Sequence, residues 1–306
     1  MPVESCQYFI IKSPAKINLF LKIIGKTDDD YHDLESILCF LDLHDEILIK
    51  LSLKKNNKPT IDVTFTGDDQ SKIDKNNNII NQIFYFFQEK YALNQNLKVK
   101  IIKNIPIGGG LGGGSSNGAM FMIFLNKVFK LNLTKEELQN ISFNFGSDLA
   151  FFLEEKSSII RSRGIVSSNI NCFNDIPILL VNPKIHISTK LIFDNFNKRY
   201  YHKTSNHDLL ERDVLSIIKN EPNQLEEIAV KYEPKIAELI NFLKNQNAIT
   251  TKMSGSGSSC FAIFDNKKNL DKAFKDCLDN FPNYFIKKTT LLYRNLPLIQ
   301  NTSIEN

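Results

Sequence analysis

Residues 105–120 read IPIGGGLGGGSSNGAM, and six of the chain's thirteen glycines lie between Gly108 and Gly114. Glycine loses more conformational freedom on folding than any other residue, so this cluster indicates a place where bare backbone is needed. Pro106 precedes the cluster, and residues 119–129 after it have the apolar spacing of a helix. The stretch therefore predicts a loop inside a domain that leads into a helix.

Three interpretations of this loop are compatible with its residues. Successive glycines let backbone N–H groups converge on a phosphate, and the following helix directs its positive N-terminus at the same point. A dinucleotide-binding turn is possible because Gly108, Gly110 and Gly113 satisfy GxGxxG, but no second parallel strand ending in an acid follows the helix. A flexible linker is the third interpretation, although the apolar helix directly after the loop argues against it. We favour a phosphate-binding loop.

Two common kinase classes do not fit the loop. No lysine follows the last glycine of the cluster, so the P-loop pattern GxxxxGK[ST] is absent. The protein-kinase motifs HRD and DFG are also absent from the chain. The phosphate-binding loop must therefore belong to another class of protein.

Composition and charge are those of an ordinary globular protein. The 306 residues are 42% hydrophobic and 24% charged, with a net charge of +4. Lysines are spread along the chain, which argues against nucleic-acid binding. The five cysteines form no CxxC pair, which fits a reducing compartment and argues against disulfides or zinc. Without a secretory signal or an apolar run of about 20 residues, we expect a cytoplasmic protein with no membrane span.

The hydrophobic periodicity predicts a mixture of strands and helices. The predicted strands are 17–24, 37–49, 61–65, 97–102, 157–166, 177–181 and 284–293. The predicted helices are 79–91, 119–129, one with a capping box at Thr134 and Glu137, 209–219, 222–231, 234–245 and 267–280. A second glycine cluster, 253–264, is expected between two strands, and the polar tail 297–306 is expected to be frayed. The polar stretch SSNINCFND predicts a boundary near residues 170–176, which divides the chain into domains 1–172 and 173–306.

The resemblance to a known family rests on motifs that lie far apart in the chain. The glycine loop, SPAKINLFLKIIGK at 13–26 and KMSGSGSSCFAIF at 252–264 resemble the three motifs of the GHMP kinase superfamily, whose members phosphorylate small molecules. Adding YHDLESIL at 31–38 and FGSDLAFFL at 145–153 narrows the resemblance to members that act on a methylerythritol carrying cytidine diphosphate. The resemblance implies an α+β fold of two domains with the active site between them. The N-terminal domain would be ribosomal protein S5 domain 2-like and the C-terminal domain ferredoxin-like.

The resemblance also implies a catalytic pair. Asp148 would take the proton of the attacked hydroxyl, and Lys16 would stabilise the charge that develops on the phosphoryl group. From the residues alone, Asp148 could equally be a helix cap or an exposed turn acid, and Lys16 a strand residue that reaches solvent. Asn18 lies two residues after Lys16 in a predicted strand and therefore on the same face, where it could bind substrate or orient Asp148.

A second set of residues would hold the substrate. An aromatic ring offers a stacking face to a pyrimidine, and an imidazole can pair with its polar edge. The resemblance implies that Tyr31 and His32 bind the cytosine and that Phe193 closes its other side. A surface Tyr-His pair and a core phenylalanine are the ordinary alternatives.

ATP is the expected phosphoryl donor, with Mg²⁺ as the expected metal. The resemblance implies that Asn78 and Lys103 lie near the adenine and ribose, although a helix N-cap and a strand-end lysine are the alternatives. Ser115 or Ser116 could approach Mg²⁺, but no acidic metal ligand is identifiable. The second glycine cluster is expected to return toward the nucleotide or to be a structural turn. The residues predicted to bind ATP are Asn78, Lys103, Pro106, Gly108, Gly109, Gly110, Leu111, Gly112, Gly113, Gly114, Ser115 and Ser116.

Three positions depart from the pattern of the family. Asp30 stands where a glycine is usual, and Ala150 and Lys190 stand where prolines are common. None of them removes a charge or a base from the predicted chemistry. We expect them to affect loop geometry and substrate affinity more than activity.

The predicted function is ATP-dependent phosphorylation of the 2-hydroxyl of the cytidine-diphosphate-linked methylerythritol by a monomer or weak homodimer. One alternative is a kinase for an alcohol such as homoserine or mevalonate, which would not need Tyr31 or His32. The other is a catalytically silent nucleotide- or RNA-binding module. An intact Lys16–Asp148 pair argues against the silent module.

Overall fold

Two long strands run through the whole molecule. The computed structural model describes residues 6–26, 32–67, 73–75, 77–154, 156–162, 165–170, 175–196, 214–293 and 299–302. Strands β1 (Cys6–Lys26) and β2 (His32–Lys55) pair antiparallel along their length, and the register shifts at three places. One shift lies between Pro14 and Lys16 and another between Asn18 and Phe20, so both candidate residues of β1 lie beside an irregularity. Such irregularities re-aim side chains, which is why they are common near active sites.

The N-terminal sheet forms on β2. The C-terminal end of β2 pairs with β4 (Gln95–Lys103), whose other neighbour, β3 (Ile61–Gly67), runs parallel to it. The N-terminal end of β2 pairs with β5 (Ser158–Ser162), which pairs antiparallel with β6 (Ile165–Asn169). Helices pack on this sheet around buried phenylalanines such as Phe84, Phe121 and Phe151. The helices are α1 (Ile79–Tyr91), α2 (Gly113–Val128), α3 (Lys135–Ser142) and α4 (Leu149–Phe152).

The helix predictions are confirmed here with one change of boundary. The helix predicted over 79–91 is α1, and the capping box at Thr134 is present with both of its hydrogen bonds. The helix after the glycine loop begins at Gly113, six residues before the predicted start, because the last glycines themselves form its first turn.

A second sheet follows in the C-terminal half. Its strand order is β10-β7-β9-β8, and Leu291 and Leu292 of β10 pair with β2, so the two sheets are joined. Buried Phe20 of the N-terminal half and Phe261 of the C-terminal half belong to one apolar cluster. The strands are β7 (Pro177–Asn182), β8 (Thr250–Met253), β9 (Cys260–Ile263) and β10 (Phe285–Leu292). The helices are α5 (Thr189–Asp194), α6 (Val214–Asn220), α7 (Glu226–Tyr232), α8 (Pro234–Lys244) and α9 (Lys267–Asn280).

The prediction of a frayed tail is wrong for residues 299–302. These residues form β11 (Ile299–Thr302), which pairs antiparallel with Tyr8–Ile11 of β1. Pairing satisfies the backbone groups of an otherwise open strand, and Ile299 also packs against the N-terminal core. The division of the chain at residue 172 stays a prediction.

No helix within the described ranges is both long and apolar enough to cross a membrane.

Candidate active site

The first glycine loop, Gly108–Gly114, has an alternating backbone. Gly108, Gly110 and Gly112 have φ values of 68°, 74° and 71°, in the left-handed region, whereas Gly109 and Leu111 between them do not. Alternation of this kind turns successive N–H groups to one side and makes a concave site for an anion. Since α2 begins at Gly113, the positive end of a 16-residue helix lies at the same place.

A second glycine loop, Ser254–Ser259, packs directly on the first. The Ser254 hydroxyl donates to the carbonyl oxygen of Gly110 at 3.1 Å, and the Ser259 amide donates to that of Gly109 at 3.2 Å. A Cβ at Gly110 would overlap the Ser254 carbonyl oxygen. The second glycine loop thus contacts the first, which explains why residue 110 has no side chain. That the second loop also reaches the nucleotide stays a prediction.

Asp45 supports the start of the first glycine loop, and no pattern in the sequence identified it. Its carboxylate is fully buried and accepts hydrogen bonds from the backbone amides of Asn104 at 2.8 Å and Ile105 at 2.9 Å. It also forms a buried ion pair with Lys103. A Cβ at Gly113 would lie 3.2 Å from the Lys103 Nζ, so this ammonium is adjacent to the N-terminus of α2. Lys103 therefore lies beside the start of α2 and lines the cleft, and its contact with adenine or ribose stays a prediction.

The predicted catalytic pair meets at the other side of the loop. The Lys16 Nζ lies 3.7 Å from the Asp148 Oδ2. Lys16 is buried and its amide donates to the Leu111 carbonyl at 3.0 Å, whereas the Asp148 side chain is 46% exposed. Asp148 occupies the N-cap position of α4, but its side chain makes no capping hydrogen bond. Its carboxylate is therefore open to the cleft beside a fixed cation.

Asn18 fixes the position of Lys16. Its Oδ1 accepts a hydrogen bond from the Lys16 Nζ at 2.7 Å, and its Nδ2 donates to the Ser36 hydroxyl at 2.9 Å. The backbone amide of Asn18 donates a hydrogen bond to the Ser254 hydroxyl at 3.2 Å. The predicted shared face of Lys16 and Asn18 is confirmed, and Asn18 connects the lysine to the second glycine loop.

One cleft of about 600 Å³ contains these groups. Lys16, Asp148 and the first glycine loop line it. Its walls also include two groups of apolar side chains, which are Leu21, Leu34 and Phe193 in one group and Phe65, Ile79 and Ile101 in the other. A cleft that combines charged groups with two sets of apolar side chains suits substrates that carry both phosphates and nucleobases.

An aromatic cluster adjoins the first of these walls. The rings of His32 and Phe193 lie 5.2 Å apart with an interplanar angle of 37°. Phe196, which the sequence analysis did not identify, meets the His32 ring edge-on at 6.2 Å. Tyr31, the third predicted contact of the cytosine, lies outside the described residues. The structure thus brings His32 and Phe193 together across more than 150 residues of chain.

Two residues predicted to bind ATP have other partners. Asn78 caps α1, where its Oδ1 accepts from the amides of Ile80 and Asn81 at 3.1 Å each, although it also lines the cleft. Ser116 is fully buried, and its hydroxyl accepts from that of Ser13 at 2.7 Å. The Ser116 side chain therefore packs α2 against β1. Ser115, one residue earlier, lines the cleft.

Two of the departures from the family pattern lie in helices. Ala150 is buried in α4, and Lys190 is the second residue of α5. Both helices begin without proline, so neither replacement prevents the local fold. Asp30 lies outside the described residues.

A buried lysine, Lys252, lies two residues before the second glycine loop. The Lys252 Nζ donates to the carbonyl oxygens of Leu19, Ile218 and Glu221. Burial lowers the pKa of Lys252 to about 8, against the opposing influence of the carboxylates of Glu226 and Glu221. Burial also raises the pKa of Glu226, whose carboxylate accepts a hydrogen bond from the backbone amide of Met253.

Metal-binding groups are sparse in the part of the chain that the structure describes. No cluster of three or more histidine, cysteine, aspartate or glutamate side chains suited to a metal ion occurs there. In phosphoryl-transfer sites Mg²⁺ usually keeps several waters and is bound by one or two carboxylates together with the substrate phosphates.

Comparisons with known proteins agree with this geometry. Residues 78–156 match the GHMP kinases N terminal domain and residues 203–283 match the GHMP kinases C terminal. A 4-diphosphocytidyl-2-C-methyl-D-erythritol kinase of Wolbachia pipientis wMel is 32% identical over 288 residues, covering 93% of this chain and 99% of that protein. A crystal structure of 4-(cytidine 5'-diphospho)-2C-methyl-D-erythritol kinase superimposes with a TM-score of 0.74 at 22% identity, covering 92% of this chain and 98% of that one. A homoserine kinase from Cytophaga hutchinsonii has the same fold, with a TM-score of 0.70 at 16% identity over 98% of this chain and 99% of that one.

Proposed function

The chain belongs to the GHMP kinases and, among them, to the 4-diphosphocytidyl-2-C-methyl-D-erythritol kinases, and we propose how its residues carry out their reaction. It is an ATP-dependent kinase that phosphorylates the 2-hydroxyl of 4-diphosphocytidyl-2-C-methyl-D-erythritol. The products are the 2-phosphate and ADP, and the step belongs to the methylerythritol phosphate pathway of isoprenoid precursor biosynthesis. A homoserine- or mevalonate-type activity is not favoured.

Asp148 and Lys16 carry the chemistry in this proposal. The single observation that supports it most strongly is the 3.7 Å approach of the two side chains next to the first glycine loop. The half-exposed carboxylate can accept the proton of the attacking hydroxyl, while the buried ammonium neutralises charge that develops on the transferred phosphoryl group. A silent binding module would have no use for a base and a fixed cation placed in this way.

The ATP phosphates lie in the first glycine loop. Its alternating left-handed glycines and the N-terminus of α2 both favour an anion at the same point. Ser115 is the cleft hydroxyl that we assign to a magnesium ion held by the phosphates. When bound, Mg²⁺ supplies positive charge to the phosphate oxygens. The protein's own part is to align the γ-phosphate with the hydroxyl near Asp148, which matters because phosphoryl transfer depends mainly on positioning and charge.

His32 and Phe193 hold the cytosine. Their rings are already close and tilted, so a pyrimidine can stack against the aromatic cluster, and the imidazole can bond its polar edge. We also assign Tyr31, which directly precedes His32 in the chain, to the cytosine site. Asn18 contributes to substrate binding by holding the Lys16 ammonium in place through a hydrogen bond.

The chain acts as a monomer or weak homodimer in the cytoplasm and binds neither nucleic acid nor membrane. Its N-terminal domain, residues 1–172, binds ATP and its C-terminal domain, residues 173–306, binds substrate.

The experiment is ADP release with Mg-ATP and three alcohols measured side by side. These are 4-diphosphocytidyl-2-C-methyl-D-erythritol, mevalonate and homoserine. Turnover with the first alone supports both the activity and the cytosine site at His32 and Phe193. Turnover with mevalonate or homoserine would contradict the substrate assignment while leaving the phosphate loop intact.

A further inference from the structure

Asn223 is a buried residue whose side chain bonds to the start of the second glycine loop. It is 6% exposed and lines a separate cavity of about 420 Å³. Its Nδ2 donates hydrogen bonds to the carbonyl oxygens of Met253 and Gly255 at 2.8 Å each. Its Oδ1 accepts a hydrogen bond from the backbone amide of Leu225 at 3.1 Å. Both ends of the side-chain amide are therefore bonded, and its donor end serves the loop.

The backbone around Asn223 is fixed to β1. The backbone amide of Leu21 donates to the carbonyl oxygen of Pro222 at 3.1 Å, and that of Gln224 donates to the carbonyl oxygen of Leu21 at 2.9 Å. Asn223 and Leu21 thus form a parallel bridge. Asn223 is therefore held by the same strand that carries Lys16.

The loop bonded to Asn223 lies against Lys16. A Cβ at Gly255 would lie 3.1 Å from the Asn18 Oδ1 and 3.6 Å from the Lys16 Nζ. The Ser254 hydroxyl accepts a hydrogen bond from the backbone amide of Asn18, and the Asn18 Oδ1 accepts one from the Lys16 Nζ. A shift of this loop would therefore move the residue that keeps the Lys16 ammonium in place.

We propose that Asn223 is a positioning residue for phosphoryl transfer, which holds the second glycine loop against Asn18 and thereby fixes the Lys16 ammonium. This inference rests on the proposed function, because it takes Lys16 as the cation that meets the transferred phosphoryl group. Asn223 acts through the loop and touches neither ATP nor the alcohol. A misplacement of about 1 Å caused by a distant substitution can lower a rate about 100-fold, so the two hydrogen bonds to the loop matter for the rate.

Asn223→Ser removes the bonds to the loop and keeps the local turn. A serine hydroxyl can still accept from the backbone amide two residues later, as asparagine does here. It has a single proton to donate and a shorter side chain, so it cannot bond the carbonyl oxygens of Met253 and Gly255 together.

Asn126 of α2 supplies the matched control. Its Nδ2 donates to the Leu133 carbonyl oxygen at 2.9 Å, and its Oδ1 accepts from the backbone amide of Leu133 at 3.0 Å. Asn126→Ser makes the same chemical change at an asparagine that is also bonded at both ends. We expect it to lower the melting temperature and to leave kcat at the wild-type value.

The experiment measures kcat, the two KM values and the hydrogen exchange of the amides in Ser254–Ser259. For Asn223→Ser we expect kcat to fall about 10- to 100-fold while both KM values stay within about 3-fold of the wild type, and the loop amides to exchange faster. If this variant does not fold, Asn223→Asp takes its place. It keeps the shape of asparagine but directs a carboxylate oxygen at the two carbonyl groups, and we expect the same changes.

A double-variant comparison tests whether Asn223 acts through Asn18. Residues in one hydrogen-bond network are coupled, so Asn18→Ala combined with Asn223→Ser should lose less kcat than the product of the two single losses, by a factor of about 3 or more. Asn18→Ala combined with Asn126→Ser should match the product within about 2-fold.

Wild-type kcat in the folded Asn223→Ser variant, or unchanged hydrogen exchange in the loop, would overturn the proposal. Losses that simply multiply with Asn18→Ala would also overturn it, because Asn223 would then act independently of Asn18. Failure of the proposed function has a different signature. The wild-type protein would then not turn over the cytidine substrate, while hydrogen exchange would still show whether Asn223 holds the loop.

Discussion

Replacing Gly114 with alanine should separate stability from ATP binding. No heavy atom lies within 4 Å of the position that a Cβ would take at Gly114, and its backbone is outside the left-handed region. Gly114 is the second residue of α2, where alanine is more favourable than glycine by up to about 1 kcal/mol. At about 2–4 °C per kcal/mol, the melting temperature should rise by about 1–3 °C.

The same methyl group should weaken ATP binding because it projects into the cleft where we place the phosphates. A hydrogen bond to a charged group contributes about 1.5–3 kcal/mol, so the loss of one such bond lowers ATP affinity by about 10- to 150-fold. Differential scanning fluorimetry and calorimetry with Mg-ATP on the same preparation give both quantities. Unchanged ATP affinity in the folded Gly114→Ala variant would refute the placement of the phosphates.

Gly110→Ala is the comparison variant, because glycine is required at position 110 for a different structural reason than at position 114. At φ 74° a residue with a Cβ costs about 1–2 kcal/mol, and this Cβ would also overlap the Ser254 carbonyl oxygen. Gly110→Ala should therefore lower both the melting temperature, by at least about 2 °C, and the ATP affinity. Equal losses of stability in the two variants would contradict the geometry of the loop.

Three further changes test other parts of the site. Phe193→Ala removes the ring beside His32 and should raise KM for the cytidine substrate about 10-fold while KM for ATP stays constant, as steady-state kinetics would measure. Asp45→Asn leaves the buried Lys103 ammonium without its counter-charge and should lower the free energy of unfolding by about 3–5 kcal/mol in urea titrations; a loss below about 1 kcal/mol would show that the pair is dispensable. Folding lowers the pKa of Lys252 from 10.5 to about 8, so between these pH values the unfolded chain binds more protons and this group makes stability rise with pH. Relative to Lys252→Met, wild-type stability should therefore increase from pH 8 to 10.5 in the same titrations, and a constant difference would contradict the pKa.

Local patterns predicted much of the fold, whereas the catalytic pair was predicted from the resemblance to a known family. The bounds of α1 and the capping box at Thr134 follow from helical periodicity and local hydrogen bonding, which depend only on neighbours in sequence. The shared orientation of Lys16 and Asn18 follows from the period of a strand. The start of α2 was placed too late, because glycine has a low helix propensity and its role in the first turn depends on the loop before it.

Contacts between distant segments could not be predicted in the same way. Asp45 is one of many acidic residues in the chain, and only the fold shows that it accepts hydrogen bonds from the backbone amides of Asn104 and Ile105. The pairing of Phe196 with His32 and the pairing of residues 299–302 with β1 also join segments far apart in the chain. Such residues have no distinctive neighbours in sequence, so their roles appear only once the chain is folded.

The most decisive measurement is turnover by Asp148→Asn with 4-diphosphocytidyl-2-C-methyl-D-erythritol and Mg-ATP, with ATP affinity measured on the same sample. The amide has the shape of the carboxylate but cannot accept the proton of the hydroxyl. We predict a loss of turnover of about 10²- to 10⁴-fold with ATP affinity within about 2-fold of the wild type. Retained turnover in a variant that binds ATP normally would contradict the role of the Lys16–Asp148 pair.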